Sequence, residues 1–208
     1  MYKCIQALKD VYLALIDRAL GYVYHAKTKG DAKMAELWDI LDKNGNKTGR
    51  LHERGKPMQK DDYHLIVNIW IINSKGEFLV SKRSEKSGRG GKWHTTGGCA
   101  VAGDDSLTAA LREVKEEIGI TLDPKNGQFF KRVSAQHVNG KGAYFADVWL
   151  FRQEVDISSV TLQVEEVCDV MWASEAEIKQ MKKIDKWAFD YEYLGELFCL
   201  YKHHGTSV

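Results

Sequence analysis

The residues most able to do chemistry are three closely spaced glutamates. Glu113, Glu116 and Glu117 stand at i, i+3 and i+4 in a segment whose apolar residues also recur at helical spacing. An α-helix turns by about 100° per residue, so the three carboxylates would share one arc of roughly 100°. Like charges at these spacings repel each other, and a divalent cation would turn the cluster into a binding site. Oxygen ligands of this kind suit Mg²⁺ or Mn²⁺.

The residues around these glutamates favour a positioned helix over a solvated acidic surface. Arg112 lies four residues before Glu116 and can pair with it. Gly119 stands where a helix often ends in a left-handed cap. The preceding loop carries capping side chains and glycines that allow a ligand close to the backbone, namely Asp104, Asp105, Ser106, Gly97, Gly98 and Gly103. A separate apolar arc would form the buried face, namely Leu107, Ala110, Leu111, Val114 and Ile118.

The spacing of this segment resembles the Nudix box. Gly98 is followed after five residues by Asp104, and after seven more by Arg112-Glu113-Val114-Lys115-Glu116-Glu117-Ile118-Gly119-Ile120. The chain departs from the family pattern at Asp104, where the family has glutamate. The resemblance implies a Nudix fold of the α/β (α+β) class, in which a mixed β-sheet is sandwiched between α-helices, here with an extra N-terminal helix.

The resemblance also implies a metal site and a reaction. It assigns Glu113, Glu116, Glu117 and the backbone carbonyl of Gly98 as ligands of Mg²⁺, with Mn²⁺ as the alternative. Arg112 would hold the glutamates in place. The implied activity is Mg²⁺-dependent hydrolysis of a diphosphate linkage in a nucleoside diphosphate-X or a related organic pyrophosphate, because the metal neutralises phosphate oxygens and activates water.

Candidate residues can be named for two further roles, the general base and the contacts to substrate phosphates. The general base is open between Glu113 and the pair Glu165 and Glu166, which lie on a predicted turn and could equally be a solvated acidic turn. Arg83 and Lys86 stand about where the related isopentenyl-diphosphate isomerases contact a diphosphate. We therefore expect these two residues to bind substrate phosphates. The basic loop that contains them also carries Lys82, Arg89 and Lys92.

Outside the box, residues 36–185 resemble the branch of Nudix proteins related to isopentenyl-diphosphate isomerase. The isomerase is therefore the first alternative function. It needs a cysteine in the loop before the helix, but that position holds Gly97, and Cys99 stands where the isomerase has a histidine. The intact Glu116 and Glu117 favour hydrolysis. The second alternative is a catalytically weak sensor that binds a nucleotide-like ligand.

The identity of X is not set by the box. Aromatic residues on the second predicted hairpin could line a pocket for X or fill the core, namely Tyr144, Phe145, Trp149 and Phe151. The net charge of the 208-residue chain is +1, and no basic stripe with interleaved aromatics is present, so we expect a small-molecule substrate and not nucleic acid. The four cysteines, Cys4, Cys99, Cys168 and Cys199, form no Cys-x-x-Cys pair, which favours a reduced, cytoplasmic setting.

The chain divides into two predicted parts. Residues 1–33 read as an amphipathic helix and a linker, too short in its apolar run to span a membrane. That helix would pack on the domain or on a second copy, which would form a homodimer. Residues 34–208 read as the Nudix hydrolase domain. Its predicted elements are strands at 36–41, 64–73, 78–82, 129–138, 143–152 and 167–172, and helices at 105–118, after the Ser174–Glu177 capping box, and at 184–202.

Overall fold

A mixed β-sheet forms the centre of the domain. The computed structural model describes residues 35–136 and 142–202. For residue 202 it describes the backbone only. Within these residues the sheet has nine strands, β1 Leu37–Leu41, β2 Lys47–Glu53, β3 Tyr63–Ile72, β4 Phe78–Arg83, β5 Trp93–His94, β6 Thr96–Cys99, β7 Gly127–Gln136, β8 Ala143–Arg152 and β9 Val167–Ala173. The helices of this part of the chain are α1 Ser106–Ile118, α2 Glu175–Lys183 and α3 Leu194–Lys202.

The long strand β3 organises the sheet. On one edge it pairs in parallel with β8 over its whole length, from Tyr63 to Ile72. On the other edge it pairs antiparallel with three short partners in succession, β1 at Tyr63, β6 at Ile66–Ile69 and β4 at Ile71–Ile72. The strand β6 therefore lies between β1 and β4, and its two glycines are flanked by both.

Helices cover both faces of this sheet. On one face, Val114 and Ile118 of α1 pack in a core with Val67, Ile69 and Ile71. On the other face, Trp70 and Ile72 pack in a second core with residues of α2 and α3, namely Ile178, Met181, Leu194, Leu197 and Phe198. The alternation of side chains along β3 sends successive residues to opposite faces, which produces the two cores. The predicted α/β sandwich is confirmed.

The ends of α1 follow the predicted capping. The side chain of Asp105 accepts a hydrogen bond from the amide of Thr108 at 2.7 Å, which satisfies one of the free N–H groups of the first turn. Gly119 ends the helix with φ +73°, and its N–H donates to the carbonyl oxygen of Lys115 at 3.2 Å. The predicted capping box of Ser174 and Glu177 is also present at the start of α2. These caps fix where α1 and α2 begin.

Several elements differ from the sequence-based expectation. The polar strand β2 and the short strands β5 and β6 were not predicted. The last helix begins at Leu194 and not at residue 184, because the segment before it pairs with β5, with Trp93 bridging Trp187. The predicted N-terminal helix, the domain boundary at 33–34 and the last two residues of the strand predicted at 129–138 lie outside the described residues. No helix within 35–136 or 142–202 is both long enough and apolar enough to cross a membrane.

Candidate active site

The three glutamates of α1 have different surroundings. Glu113 and Glu117 are 9% and 4% exposed, and both lie on the side of α1 that faces the sheet. Glu116 is exposed. A solvated acidic face is therefore the wrong description of this segment, since two of its three carboxylates are buried. Burying a carboxylate without full pairing costs free energy, so their burial needs a compensating partner.

The two glycines of β6 make room for these carboxylates. A Cβ atom at Gly98 would overlap the carboxylate of Glu113, and one at Gly97 would overlap the carbonyl oxygen of Val67. The backbone N–H of Gly97 acts to lower the pKa of Glu117, against the larger effect of burial. A side chain is thus excluded at Gly97 by the backbone of β3, whereas at Gly98 it would displace the carboxylate of Glu113, since the backbone of β6 passes directly beside that carboxylate.

Arg112 connects the acidic groups around α1. Its Nη1 donates to Glu113 at 2.9 Å and to Glu116 at 3.2 Å. Its Nε donates to Asp104 at 3.1 Å, and its Nη2 donates to the carbonyl oxygen of Cys99 at 2.9 Å. The shorter side chain of Asp104 therefore reaches the arginine, and the predicted contact between Arg112 and Glu116 is present.

The buried carboxylates of Glu113 and Glu117 are incompletely compensated by positive charge and hydrogen bonds. Burial raises the pKa of Glu113 to about 7, although the charge of Arg112 opposes the rise. Burial, followed by the charges of Glu113 and Glu166, raises the pKa of Glu117 well above its ordinary value. The Oε2 atom of Glu117 is buried and accepts no hydrogen bond from any residue that the structure describes. A cation beside this oxygen would remove the imbalance.

The donor set fits a hard divalent cation, although the side chains are not preassembled around one. Among the described residues, no three His, Cys, Asp or Glu side chains stand close enough together to hold a metal ion. Two of the three glutamates, Glu113 and Glu116, are instead paired with Arg112. The orphaned oxygen of Glu117 and the close approach of the Gly98 backbone to the Glu113 carboxylate are the two observations that favour a cation here.

A cavity of about 690 Å³ adjoins Gly97 and Gly98. It lies on the face of the sheet opposite α1, over the first half of β3. His64, Ile66 and Asn68 of that strand line it. Its walls come from widely separated parts of the chain, namely Trp38, Arg54, Arg83, Arg89, Cys99, residues 133–135, Tyr144, Ala146 and residues 189–193. The size and position of the cavity are suited to the group that a diphosphate carries.

Only some of the basic residues that were predicted to lie near the phosphates line the cavity. Arg83 lines the cavity, as does Arg89, and both guanidinium groups stack over Phe189 at 5.5 and 4.9 Å from the ring centre. Lys86 is exposed and is not part of the cavity wall. Arg89 belongs to the same basic loop and lines the cavity, whereas phosphate binding by Lys86 stays a prediction.

The remaining candidate residues are divided between the site and the core. Glu165 and Glu166 are exposed, and their carbonyl oxygens accept hydrogen bonds from Ser84 at 2.6 and 2.8 Å. Glu166 is one of the charges that raise the pKa values of Glu113 and Glu117.

Of the four aromatic residues on the second hairpin, Tyr144 lines the cavity, whereas Phe145, Trp149 and Phe151 pack in the interior.

Cys99 and His94 also lie at the cavity wall. Burial raises the pKa of the Cys99 thiol to about 12, so the thiol stays protonated at neutral pH. Burial, with a further contribution from Arg83, lowers the pKa of His94 to about 3, so the imidazole stays neutral. Its Nε2 atom lies 3.3 Å from the hydroxyl of Ser81. Neither side chain carries charge toward a phosphate.

Comparisons with known proteins agree with this geometry. The NUDIX domain family matches residues 62–196. The chain is 35% identical over 167 residues to the Nudix hydrolase lin0387 of Listeria innocua, covering 79% of this chain and 95% of that protein. It is 24% identical over 152 residues to an isopentenyl-diphosphate Delta-isomerase of Shigella flexneri, covering 72% and 83%. The crystal structure of DR0079 from Deinococcus radiodurans, 17% identical, superposes with a TM-score of 0.61 over 79% of this chain and 98% of that one, and shows the same fold.

The family match and the Nudix hydrolase relative show that the chain is a Nudix-type pyrophosphohydrolase, and the sheet between helices is the fold of that class. The chain belongs to the NUDIX domain family.

Proposed function

We propose that this protein hydrolyses a diphosphate linkage in a nucleoside diphosphate-X or a related organic pyrophosphate, in a reaction that depends on Mg²⁺ or Mn²⁺. The observation that carries the proposal is the buried pair of Glu113 and Glu117, with its raised pKa values and its unpaired oxygen. Glu113, Glu116, Glu117 and the carbonyl of Gly98 would hold the ion. When bound, the ion would neutralise phosphate oxygens and lower the pKa of an attacking water.

The side chains around the ion have separate tasks in this proposal. Arg112 fixes Glu113 through a 2.9 Å hydrogen bond and leaves Glu116 exposed, so Glu116 can exchange the arginine for a cation. Arg83 and Arg89 present guanidinium groups to phosphate from the cavity side. Glu113, with a pKa of about 7, and the exposed Glu166 are the two candidates for the group that accepts a proton from water.

The isomerase alternative is disfavoured by the space at β6. The isomerase-type cysteine would stand at Gly97, where any Cβ overlaps the carbonyl oxygen of Val67. Cys99, the nearby thiol, is protonated and lies against Trp38, Ile40 and Met58. A Cys99→Ala variant should therefore keep its hydrolytic activity. A folded but inactive Cys99→Ala enzyme would return the isomerase mechanism to consideration.

The test is a substrate panel assayed with the purified protein and Mg²⁺. The panel contains nucleoside di- and triphosphates, nucleotide sugars, dinucleotides, ADP-ribose and isopentenyl diphosphate, and both phosphate release and product mass are followed. We expect cleavage of a diphosphate linkage in one group, abolished by EDTA and restored by Mg²⁺. Conversion of isopentenyl diphosphate to its isomer without phosphate release would contradict the proposal. Ligand-dependent thermal shifts without any turnover would instead indicate a sensor.

The proposal includes a small-molecule substrate and a cytoplasmic setting. Cys99, Cys168 and Cys199 are free thiols, which agrees with reducing conditions. Homodimer formation through residues 1–33 stays a prediction, since that segment lies outside the described residues.

A further inference from the structure

The hairpin of β1 and β2 lies before the residues that the NUDIX family matches, yet it is fastened to the box. The amide of Ala102 donates to the carbonyl oxygen of Leu37 at 2.7 Å, and the amide of Gly103 donates to Asp39 at 2.9 Å. Lys47 forms an ion pair with Asp39 at 2.7 Å. The hairpin therefore has a fixed position relative to the loop that precedes α1.

Arg54 follows directly after β2 and is oriented by the start of β1. Its Nη1 donates to Glu36 Oε2 at 2.8 Å, while the other oxygen of Glu36 accepts from Trp38 Nε1 at 2.8 Å. The amide of Arg54 also donates to the carbonyl oxygen of Glu36 at 2.8 Å. The side chain of Arg54 is 54% exposed and lines the cavity beside Gly98 and Cys99. Among the described residues the guanidinium donates to Glu36 alone, which leaves donors free for a ligand.

The position of β6 places this arginine opposite Arg83. Because β6 lies between β1 and β4 on one edge of β3, its glycines have the hairpin on one side and the end of β4 on the other. Arg54 reaches the cavity from the hairpin, and Arg83 reaches it from β4. A dianionic group above Gly97 and Gly98 would meet a guanidinium on either side.

We propose that Arg54 binds a phosphate of the substrate's diphosphate, facing Arg83 across the glycines of β6, so that the β1–β2 hairpin is part of the substrate site. The identity of the anion as a diphosphate rests on the proposed function. The planar guanidinium, already oriented by Glu36, suits two-point contact with phosphate oxygens, which a lysine ammonium cannot make in the same way.

The test measures binding of methylenediphosphonate, a diphosphate analogue that cannot be hydrolysed, in the presence of Mg²⁺. Titration calorimetry is performed on the wild type, Arg54→Gln, Arg54→Lys and the control Lys56→Gln. Glutamine can still donate to Glu36, so Arg54→Gln should fold. Lys56 is on the same hairpin but pairs at the surface with Glu53, is 64% exposed and does not line the cavity. We expect affinity to fall about 10-fold or more in Arg54→Gln, less in Arg54→Lys, and not at all in Lys56→Gln.

The outcomes separate this inference from the proposed function. Unchanged affinity in Arg54→Gln, in a protein that does hydrolyse a diphosphate, would overturn the role of Arg54 and leave the function standing. Lower affinity in Arg54→Gln, with no hydrolysis of any compound in the panel, would support the binding role while contradicting the function. A wild type that does not bind methylenediphosphonate would overturn the inference.

Discussion

Two of the places where the described residues bury carboxylates differ in how the charge is paired. Asp147, on β8, is 1% exposed, and both of its oxygens accept hydrogen bonds from Arg132, at 2.6 and 2.8 Å. Glu117, on α1, is nearly as buried, but one of its oxygens has no hydrogen-bond partner within the described chain. Its neighbour Glu113 shares a single arginine with two other acids, Asp104 and Glu116.

The difference separates a structural carboxylate from a binding carboxylate. A buried charge that is fully paired needs nothing more from its surroundings, as at Asp147. A buried charge that is incompletely paired raises its pKa and destabilises the fold until an ion or a proton arrives. The residues of α1 are in this second condition. Three experiments can sharpen or break this contrast.

The largest effect is expected on turnover when the unpaired carboxylate is removed. Glu117→Gln should lower Mg²⁺-dependent hydrolysis by at least about 100-fold. Loss of a residue that only supports a metal ligand costs up to about that factor, and Glu117 is proposed to be a ligand itself. Glu116→Gln should also lose most activity. Initial rates at saturating Mg²⁺ are the measurement, with thermal unfolding to show that both variants fold. Wild-type rates in both would mean that the proposed metal site is wrong.

The matched change at the paired carboxylate should affect stability and leave catalysis intact. Asp147→Asn keeps the shape but removes the charge that Arg132 meets, and we expect the free energy of unfolding to fall by about 1–3 kcal/mol. Urea unfolding measures the stability, and the same hydrolysis assay measures turnover of the folded variant. A large loss of turnover with unchanged stability would reverse the roles assigned to the two places.

The smallest effect is the pH dependence of stabilisation by Mg²⁺. The pKa of Glu113 is about 7 in the folded protein, against an ordinary value of 4.5, so the folded state binds the proton more tightly. The resulting stability is fully present below pH 4.5 and is lost as pH rises through about 7. Above that pH the ionised carboxylate of Glu113 is available to a cation. Mg²⁺ should therefore raise Tm more at pH 8 than at pH 5.5. Equal shifts at the two pH values would argue against binding at this pair.

The parts of the fold that sequence could predict are those whose signals are local. The helix α1 and its caps at Asp105 and Gly119 were predicted because spacing and end residues lie within one short stretch. The strand β6 was not predicted, because two of its four residues are glycines that favour no strand by themselves. Its pairing with β3 supplies the order that its own sequence lacks.

The site shows the same division between local and distant signals. The spacing on α1 singled out Glu113 and Glu117, but it placed all three glutamates on one arc and did not reveal that two of them are buried. Arg54 and Arg89 had no motif to mark them. The guanidinium of Arg89 donates a hydrogen bond to the carbonyl oxygen of Ala188, 99 residues further along the chain, and only the folded structure reveals this contact.

The wall of the cavity has a consequence for how such a molecule can diversify. The acids of the proposed reaction lie mostly in one continuous stretch, Gly98–Gly119, whereas the wall is assembled from Trp38, Arg54 and residues 133–135 and 189–193. Alterations in these scattered segments can reshape the space for the group X one wall at a time. The catalytic acids can thus be inherited as a block, with the proposed phosphate-binding arginine of the β1–β2 hairpin retained, while the recognised compound changes.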